Sequence, residues 1–230
     1  MSLGFYDRQI RHIGAGAQDV LSESIVTIVG VGGLGSAAAQ LLARMGVGIL
    51  HLIDADTVEE HNLSRQQLYT LEDIGVSKAL ACKSHIERIN PHIRVIAHHL
   101  FVAQGMTSVL AGADLILDCV DNHETRRLID SYCSDHKIVW VHGAAIKEQG
   151  SIFVFDPKRR PDIVYSSLYS GSAGNEKCAD LGVTAPIVSL VGTLQAQLAL
   201  NILLARPVPE GLLRIDASSF SVREIPLSSR

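Results

Sequence analysis

The stretch from Ile25 to Asp54, IVTIVGVGGLGSAAAQLLARMGVGILHLID, constrains this chain more than any other. It opens with an apolar, β-branched run of strand length. Gly30, Gly32 and Gly35 follow in the spacing G-x-G-x-x-G, directly before a helix-like segment. The first glycine makes a tight turn, the second lets backbone N–H groups approach a phosphate, and the third lets helix and strand pack closely. The helix is predicted from about Leu34 to Met45, with Gly46 as its C-terminal cap. A second apolar run, Val47 to Ile53, ends at Asp54, where an acid at a strand tip can accept hydrogen bonds from a ribose. The unit binds a nucleotide, and such a unit alone favours a dinucleotide such as NAD.

The rest of the chain bears on that reading through charge and length. The 230 residues suffice for one continuous domain with a sizeable core. A formal charge of -4 gives no general field for nucleic acid or an anionic membrane, so any polyanion must meet local cations. Cys82, Cys119, Cys133 and Cys178 form no CxxC pair, which argues against a disulfide framework or a cysteine zinc site and favours a reducing, cytoplasmic setting. The N-terminus has no apolar core of signal-peptide length. Thr184 to Ala205 approaches membrane-span length but carries Ser189, Thr193, Gln195, Gln197 and Asn201. Those polar groups are costly in lipid, so a buried or subunit-interface helix is expected instead.

Taken in order, residues 5–23 read as short helices around Tyr6, Asp7 and Arg8. After the nucleotide unit, DTVEEHNLSRQQLY reads as a loop with helical turns lying across the site. KALACKSHIERIN is helical in spacing until Asn90-Pro91, Ile93 to Leu100 alternates as a strand, and VAQGMTSVLAGA suggests a short helix. Asp114 to Val120 is a buried strand, His123 to Asp135 a helix and Ile138 to Val141 a strand. GSIFVFDP, LLRIDA and SVREIPL read as antiparallel strands, the last two joined at Ser218 to Phe220. The expected fold is α/β: a Rossmann-like, doubly wound, mostly parallel sheet with antiparallel C-terminal strands. About residues 156–185 form a long polar loop without periodicity, which in a compact domain is usually functional.

In a doubly wound sheet the ligand lies beyond the carboxyl ends of the strands. Asp54, Asp56, Asp118, Asp121 and Asn122 follow those ends, and Arg65 and Lys78 can fold back over the same edge. Two cations and several acids around one phosphate site suit a triphosphate with Mg²⁺ better than a dinucleotide, with Asp121 supplying a carboxylate ligand. Simpler readings stand beside these. Arg65 and Lys78 are equally placed to be surface cations, Asp118 to cap a turn, and Asp121 to be an N-cap with Glu124 at N3. His98, His99 and His142 read as strand-face residues, and Cys82, Cys119 and Cys133 as core. Cys178 differs, sitting in the polar loop beside Lys177.

YDRQI, VGVGGLGS, IDADTVEEHNLSRQQLY, the Gly75-x-Ser77-Lys78 helix start, RINPHI, LDCVDN, HGAAI and CADLGVTAP occur in this order. Together they resemble the MoeB, ThiF and HesA family, bacterial members of the ubiquitin-activating-enzyme superfamily. The resemblance covers about residues 5–226. It implies that MgATP adenylates the C-terminal glycine of a small ubiquitin-like sulfur-carrier protein, for molybdopterin, thiamine or a related product. It further implies that Gly33 approaches the phosphates, Asp54 holds the ribose, Asn62, Arg65 and Lys78 bind phosphate, and Asp121 holds Mg²⁺. Arg8 matches an arginine that reaches into the partner subunit's site, implying a homodimer. Cys178 matches a loop cysteine tied to covalent linkage with the carrier. One departure is plain: DIVY stands at Asp162 to Tyr165, where MoeB and ThiF carry the first CxxC of a structural zinc site, so no zinc is expected. The competing readings are an NAD-dependent oxidoreductase, which leaves Arg8, Arg65, Lys78 and Asp121 unexplained, and a non-catalytic module that binds a ubiquitin-like protein.

Overall fold

The computed structural model describes residues 4–168 and 182–227. Eight strands form one sheet in the order β3-β2-β1-β4-β5-β6-β7-β8. The first five run parallel: β1 Ile25–Val29, β2 Ile49–Ile53, β3 Arg94–His98, β4 Leu115–Asp118 and β5 Val139–Ile146. β6 Gln149–Phe155, β7 Leu212–Asp216 and β8 Ser221–Ile225 continue it antiparallel. The expected architecture is therefore present, but the strand read as Ile138 to Val141 continues to Ile146, and the change of strand direction comes after Ile146.

Period-two alternation sorts the strand residues into two cores. Val26, Ile28, Leu50, Leu52, Leu115 and Leu117 face the helices α3 Gly33–Arg44, α4 Lys78–Ile89 and α6 Ala185–Leu203. Val29, Ile53 and Ile116 face the other way, toward α5 His123–His136 and the aromatic group Trp140, Phe153 and Phe155. Two short helices, α1 Asp7–Ile13 and α2 Ala15–Glu23, precede the sheet.

Three further expectations need correction. The crossover from β3 to β4 holds only a 3₁₀ turn, Thr107–Leu110, in place of the short helix, because Gly105 and Gly112 both take positive φ and bound it tightly. α3 begins at Gly33, one residue earlier than read, with Gly32 as its N-cap. The N-cap of α5 is Asn122, whose side chain accepts the Thr125 N–H; Asp121 lies one residue outside the helix and Glu124 completes no capping box with it. An amide oxygen and a carboxylate cap about equally well, so composition alone does not choose between adjacent Asp and Asn.

Candidate active site

The glycine turn sets the floor of the site. Gly30 has φ +84°, and a Cβ there would sit 2.7 Å from the Cys119 carbonyl oxygen, so the chain can cross close to the end of β4 only without a side chain. Gly35 lies against Gly30: a Cβ would overlap the Gly30 carbonyl oxygen. Its role is packing, and it does not line the cleft, whereas Gly30, Gly32 and Gly33 do. The first-turn N–H groups of α3 therefore open into that cleft, where a helix N-terminus favours anions.

Asp54, just past β2, accepts the Val31 N–H at 2.8 Å and the Asp56 N–H at 2.9 Å, one on each carboxylate oxygen. Burial pushes its pKa up, opposed by those two N–H groups and by Lys78. Each oxygen keeps a further lone pair for a ligand hydroxyl. The loop that follows forms a 3₁₀ turn, Glu60–Ser64, closed by a capping box in which Asn62 accepts the Glu59 N–H at 3.1 Å. Asn62 is thus held from within the loop while lining the cleft, as does Arg65, whose guanidinium donates to the His61 carbonyl at 3.2 Å. Lys78 is the first residue of α4 and is 7% exposed; its Nζ lies 2.8 Å from Asp56 Oδ2.

Asp121 stands beyond β4, exposed at the cleft, and makes no side-chain hydrogen bond or ion pair among the described residues. The loop that carries it is held from below by a buried polar cluster. Asp118, fully buried, receives His142 Nδ1 at 2.7 Å and Arg126 Nε at 3.2 Å on one oxygen, and the Val120 N–H at 3.1 Å on the other. Arg126 also donates to the Val120 carbonyl at 2.5 Å and the Gly143 carbonyl at 3.2 Å. Gln195 from α6 donates to the Asp118 carbonyl at 2.8 Å. Removing one partner from such a buried charged set costs about 3–5 kcal/mol. Burial lowers the pKa of His142 despite its bond to Asp118, and its Nε2 is buried with no partner among the described residues.

The resulting cleft, about 360 Å³, brings together Gly30, Gly32, Gly33, Asp54, Asp56, Asn62, Arg65, Lys78 and Asp121. Arg8 is exposed on α1 and does not line it. Cys178 lies outside the described residues. Cys82 and Cys133 are core, as read; Cys119 packs against the core and also lines the cleft, where burial and Asp118 raise its pKa well above the ordinary thiol value. His142 and Asp118 are members of the buried cluster, beyond the strand-face and turn-cap roles that their positions suggest. Sequence reading also missed Tyr69, whose hydroxyl lies 2.7 Å from the Val31 carbonyl and 3.1 Å from the Lys78 carbonyl, tying the glycine turn to the start of α4. At 162–165, Ile163 and Tyr165 are buried in the aromatic core. Among the described residues no group of three or more His, Cys, Asp or Glu is arranged to hold a metal ion.

A doubly wound sheet with a glycine-turn helix, an acid at the end of β2 and cations converging on one cleft defines a nucleotide-binding α/β protein. Comparison with known proteins narrows that class. The ThiF family model matches residues 6–230, and the chain belongs to this family. It is 37% identical over 229 residues to a molybdopterin-synthase adenylyltransferase of Haemophilus influenzae, covering 96% of this chain and 93% of that one. It is 35% identical over 227 residues to the sulfur carrier protein ThiS adenylyltransferase of Escherichia coli, covering 96% and 90%. The crystal structure of Escherichia coli MccB with ATP shares the fold at TM-score 0.85 and 20% identity, covering 97% of this chain and 71% of that one.

Proposed function

We propose that this chain is an ATP-dependent adenylyltransferase acting on the C-terminal glycine of a small ubiquitin-like sulfur-carrier protein, in molybdopterin or thiamine biosynthesis. The observation that carries the reading is the single cleft joining the glycine turn, Asp54, Arg65, Lys78 and Asp121, in a chain 37% identical to a molybdopterin-synthase adenylyltransferase along 96% of its length. In this reading the carrier's carboxylate oxygen attacks the α-phosphorus of ATP. A new P–O bond forms, the bond from that phosphorus to the bridging oxygen of the β-phosphate breaks, and pyrophosphate leaves with the electron pair.

The chain's own residues bind, orient and neutralise. The α3 N-terminus and Gly33 receive the phosphates, Asp54 holds the ribose, and Arg65 and Lys78 offset charge developing on the leaving group. Asn62 shapes the loop between them. Asp121 is suited to Mg²⁺ because its carboxylate has no other partner among the described residues, and a cation bound there supplies charge neutralisation alongside phosphate oxygens. Arg8, exposed and outside its own chain's cleft, reaches the partner's site in a homodimer. Neither membrane nor nucleic acid enters this reading, and the setting is cytoplasmic.

The test is carrier-dependent exchange of labelled pyrophosphate into ATP with Mg²⁺, against small ubiquitin-like carriers ending in paired glycines. Exchange is expected with at least one carrier, and Asp121→Ala is expected to lower it by about 10²-fold or more, the scale for losing one preorganised electrostatic group. ATP binding without exchange for any carrier would leave a binding module. Exchange undiminished in Asp121→Ala would remove Asp121 from the metal role.

A further inference from the structure

The antiparallel half of the sheet has two unlike faces. On one, Gly150, Ile152 and Ile215 pack toward α6, with Val191 and Ile187 over Gly150. On the other, strand register places Ala144, Ser151, Arg214 and Arg223 in one row, since each is the direct partner of the next. Direct partners share a face of the sheet. The neighbouring row on that face includes Phe153, which is buried in the aromatic core, but Arg214 and Arg223 are both exposed.

This row begins at the nucleotide cleft, because Ala144 and Ala145 line it. Three strand spacings separate Ala144 from Arg223, about 14 Å in all. That is the span of about four extended residues.

Arg214 and Arg223 are like charges directly opposite, an arrangement that destabilises a sheet unless a counter-charge is supplied. Neither forms a side-chain hydrogen bond or ion pair among the described residues. The nearest acid along β7 on the same face, Asp216, has its Oδ1 engaged by Ser218 and Ser219 and forms no ion pair with either arginine. Leu212 and Ile225 form the next pair on that face, and Ile225 is 46% exposed, so apolar surface flanks the two cations. Arginines beside exposed apolar groups are the composition of a protein-binding surface, and the planar guanidinium matches a carboxylate in two-pronged fashion.

We propose that Arg214 and Arg223 determine which carrier is accepted, by binding carboxylates on the carrier's globular body beside the root of its C-terminal tail. This rests on the carrier-adenylating function above. The tail then runs over Ser151 and Ala144 into the cleft, and the row of four residues sets its length. The occupant is a small acidic-faced protein, and its complementary charge is what offsets the paired arginines.

The experiment uses the carrier that supports exchange, with the Arg214→Glu/Arg223→Glu and Arg214→Gln/Arg223→Gln enzymes. The expected result is a rise in KM for the carrier on the order of tenfold or more with glutamate, and a smaller rise with glutamine, as electrostatic steering is reversed or removed. kcat and KM for ATP are expected to stay at wild-type values, and a peptide of the carrier's last six residues, which lacks the carboxylates of the globular body, to react equally with all three enzymes. Replacing a carrier carboxylate near the tail by Arg is expected to restore the glutamate variant. An unchanged KM for the carrier, or a peptide rate that falls in parallel, would overturn the proposal. Absence of exchange for every carrier with the wild-type enzyme would instead overturn the function on which it rests.

Discussion

His142 offers a stability measurement that isolates one buried side chain. It is fully buried, its Nδ1 lies 2.7 Å from Asp118, and burial lowers its pKa from the ordinary 6.5. The unfolded chain therefore takes up a proton at this position before the folded chain does. Stability is complete above about pH 6.5 and falls as the pH drops below it, because protons bind preferentially to the unfolded state. If His142 stays neutral in the fold, one group with an unfolded pKa of about 6.5 costs about 1.4 kcal/mol by about pH 5.5. His51 and His123 also have lowered pKa values from burial, so the wild-type curve alone mixes three contributions. His142→Asn separates them: the amide N–H can still donate to Asp118, but the position no longer titrates. Urea unfolding at about pH 7.5 and 5.5 is expected to show the wild type losing about 1.4 kcal/mol more than His142→Asn. Parallel losses, within the roughly 0.3–0.5 kcal/mol to which such differences add, would refute the neutral buried histidine.

Two further outcomes follow from residues outside the phosphate site. Cys178→Ala is expected to keep carrier-dependent pyrophosphate exchange, since adenylation needs positioning and charge neutralisation and no thiol; collapse of exchange in that variant would place the thiol in the first chemical step. Prolonged treatment with a zinc chelator is expected to leave the thermal midpoint unchanged, because Ile163 and Tyr165 pack into the core at 162–165; a falling midpoint with release of about one zinc per chain would contradict it.

The parts of the fold that were legible are those where one residue type has one conformational reason. Gly30, Gly32 and Gly35 made the strand-turn-helix unit legible because no side chain fits at two of them, and the apolar, β-branched run from Ile25 to Val29 marked a strand buried on both sides. The cations were legible as candidates only, since nothing in the order of residues shows that Lys78 meets Asp56 across 22 positions. The cluster beneath Asp121 was not legible at all. Asp118, Arg126 and His142 lie on β4, α5 and β5, and their meeting depends on the parallel pairing of Asp118 with His142 and on the first turn of α5 folding back under the loop. Local pattern carries no signal for that. The reading of Asp121 as N-cap failed for a related reason: Asp and Asn cap alike, and only the folded geometry, in which the Asn122 side chain accepts the Thr125 N–H, decides between them.

α6 shows why an apolar helix here is interrupted by polar residues. An 18-residue window of this 19-residue helix has a mean hydropathy of 1.4 and half of that window is buried, so by composition alone it resembles a span. Four of its five polar interruptions, Ser189, Gln195, Gln197 and Asn201, have partners within the fold. Gln195, fully buried, bonds the Asp118 and Val141 carbonyls and accepts from the Cys119 thiol at 3.4 Å, meeting the ends of β4 and β5 where the cleft opens. Ser189 donates to Gln67 at 3.2 Å, in the loop that carries Arg65. Gln197 donates to Asn201, and Asn201 to the Pro207 carbonyl, which closes the C-terminal end. Between them, Gly192 lets the helix approach Leu34 so closely that a Cβ would overlap its carbonyl oxygen, and Val188 packs on Gly33 of the glycine turn. The same helix therefore touches the phosphate-facing turn, the strand ends below Asp121 and the loop bearing Arg65. In lipid those amides and hydroxyls would lack these partners; here they hold three walls of one cleft in fixed relation.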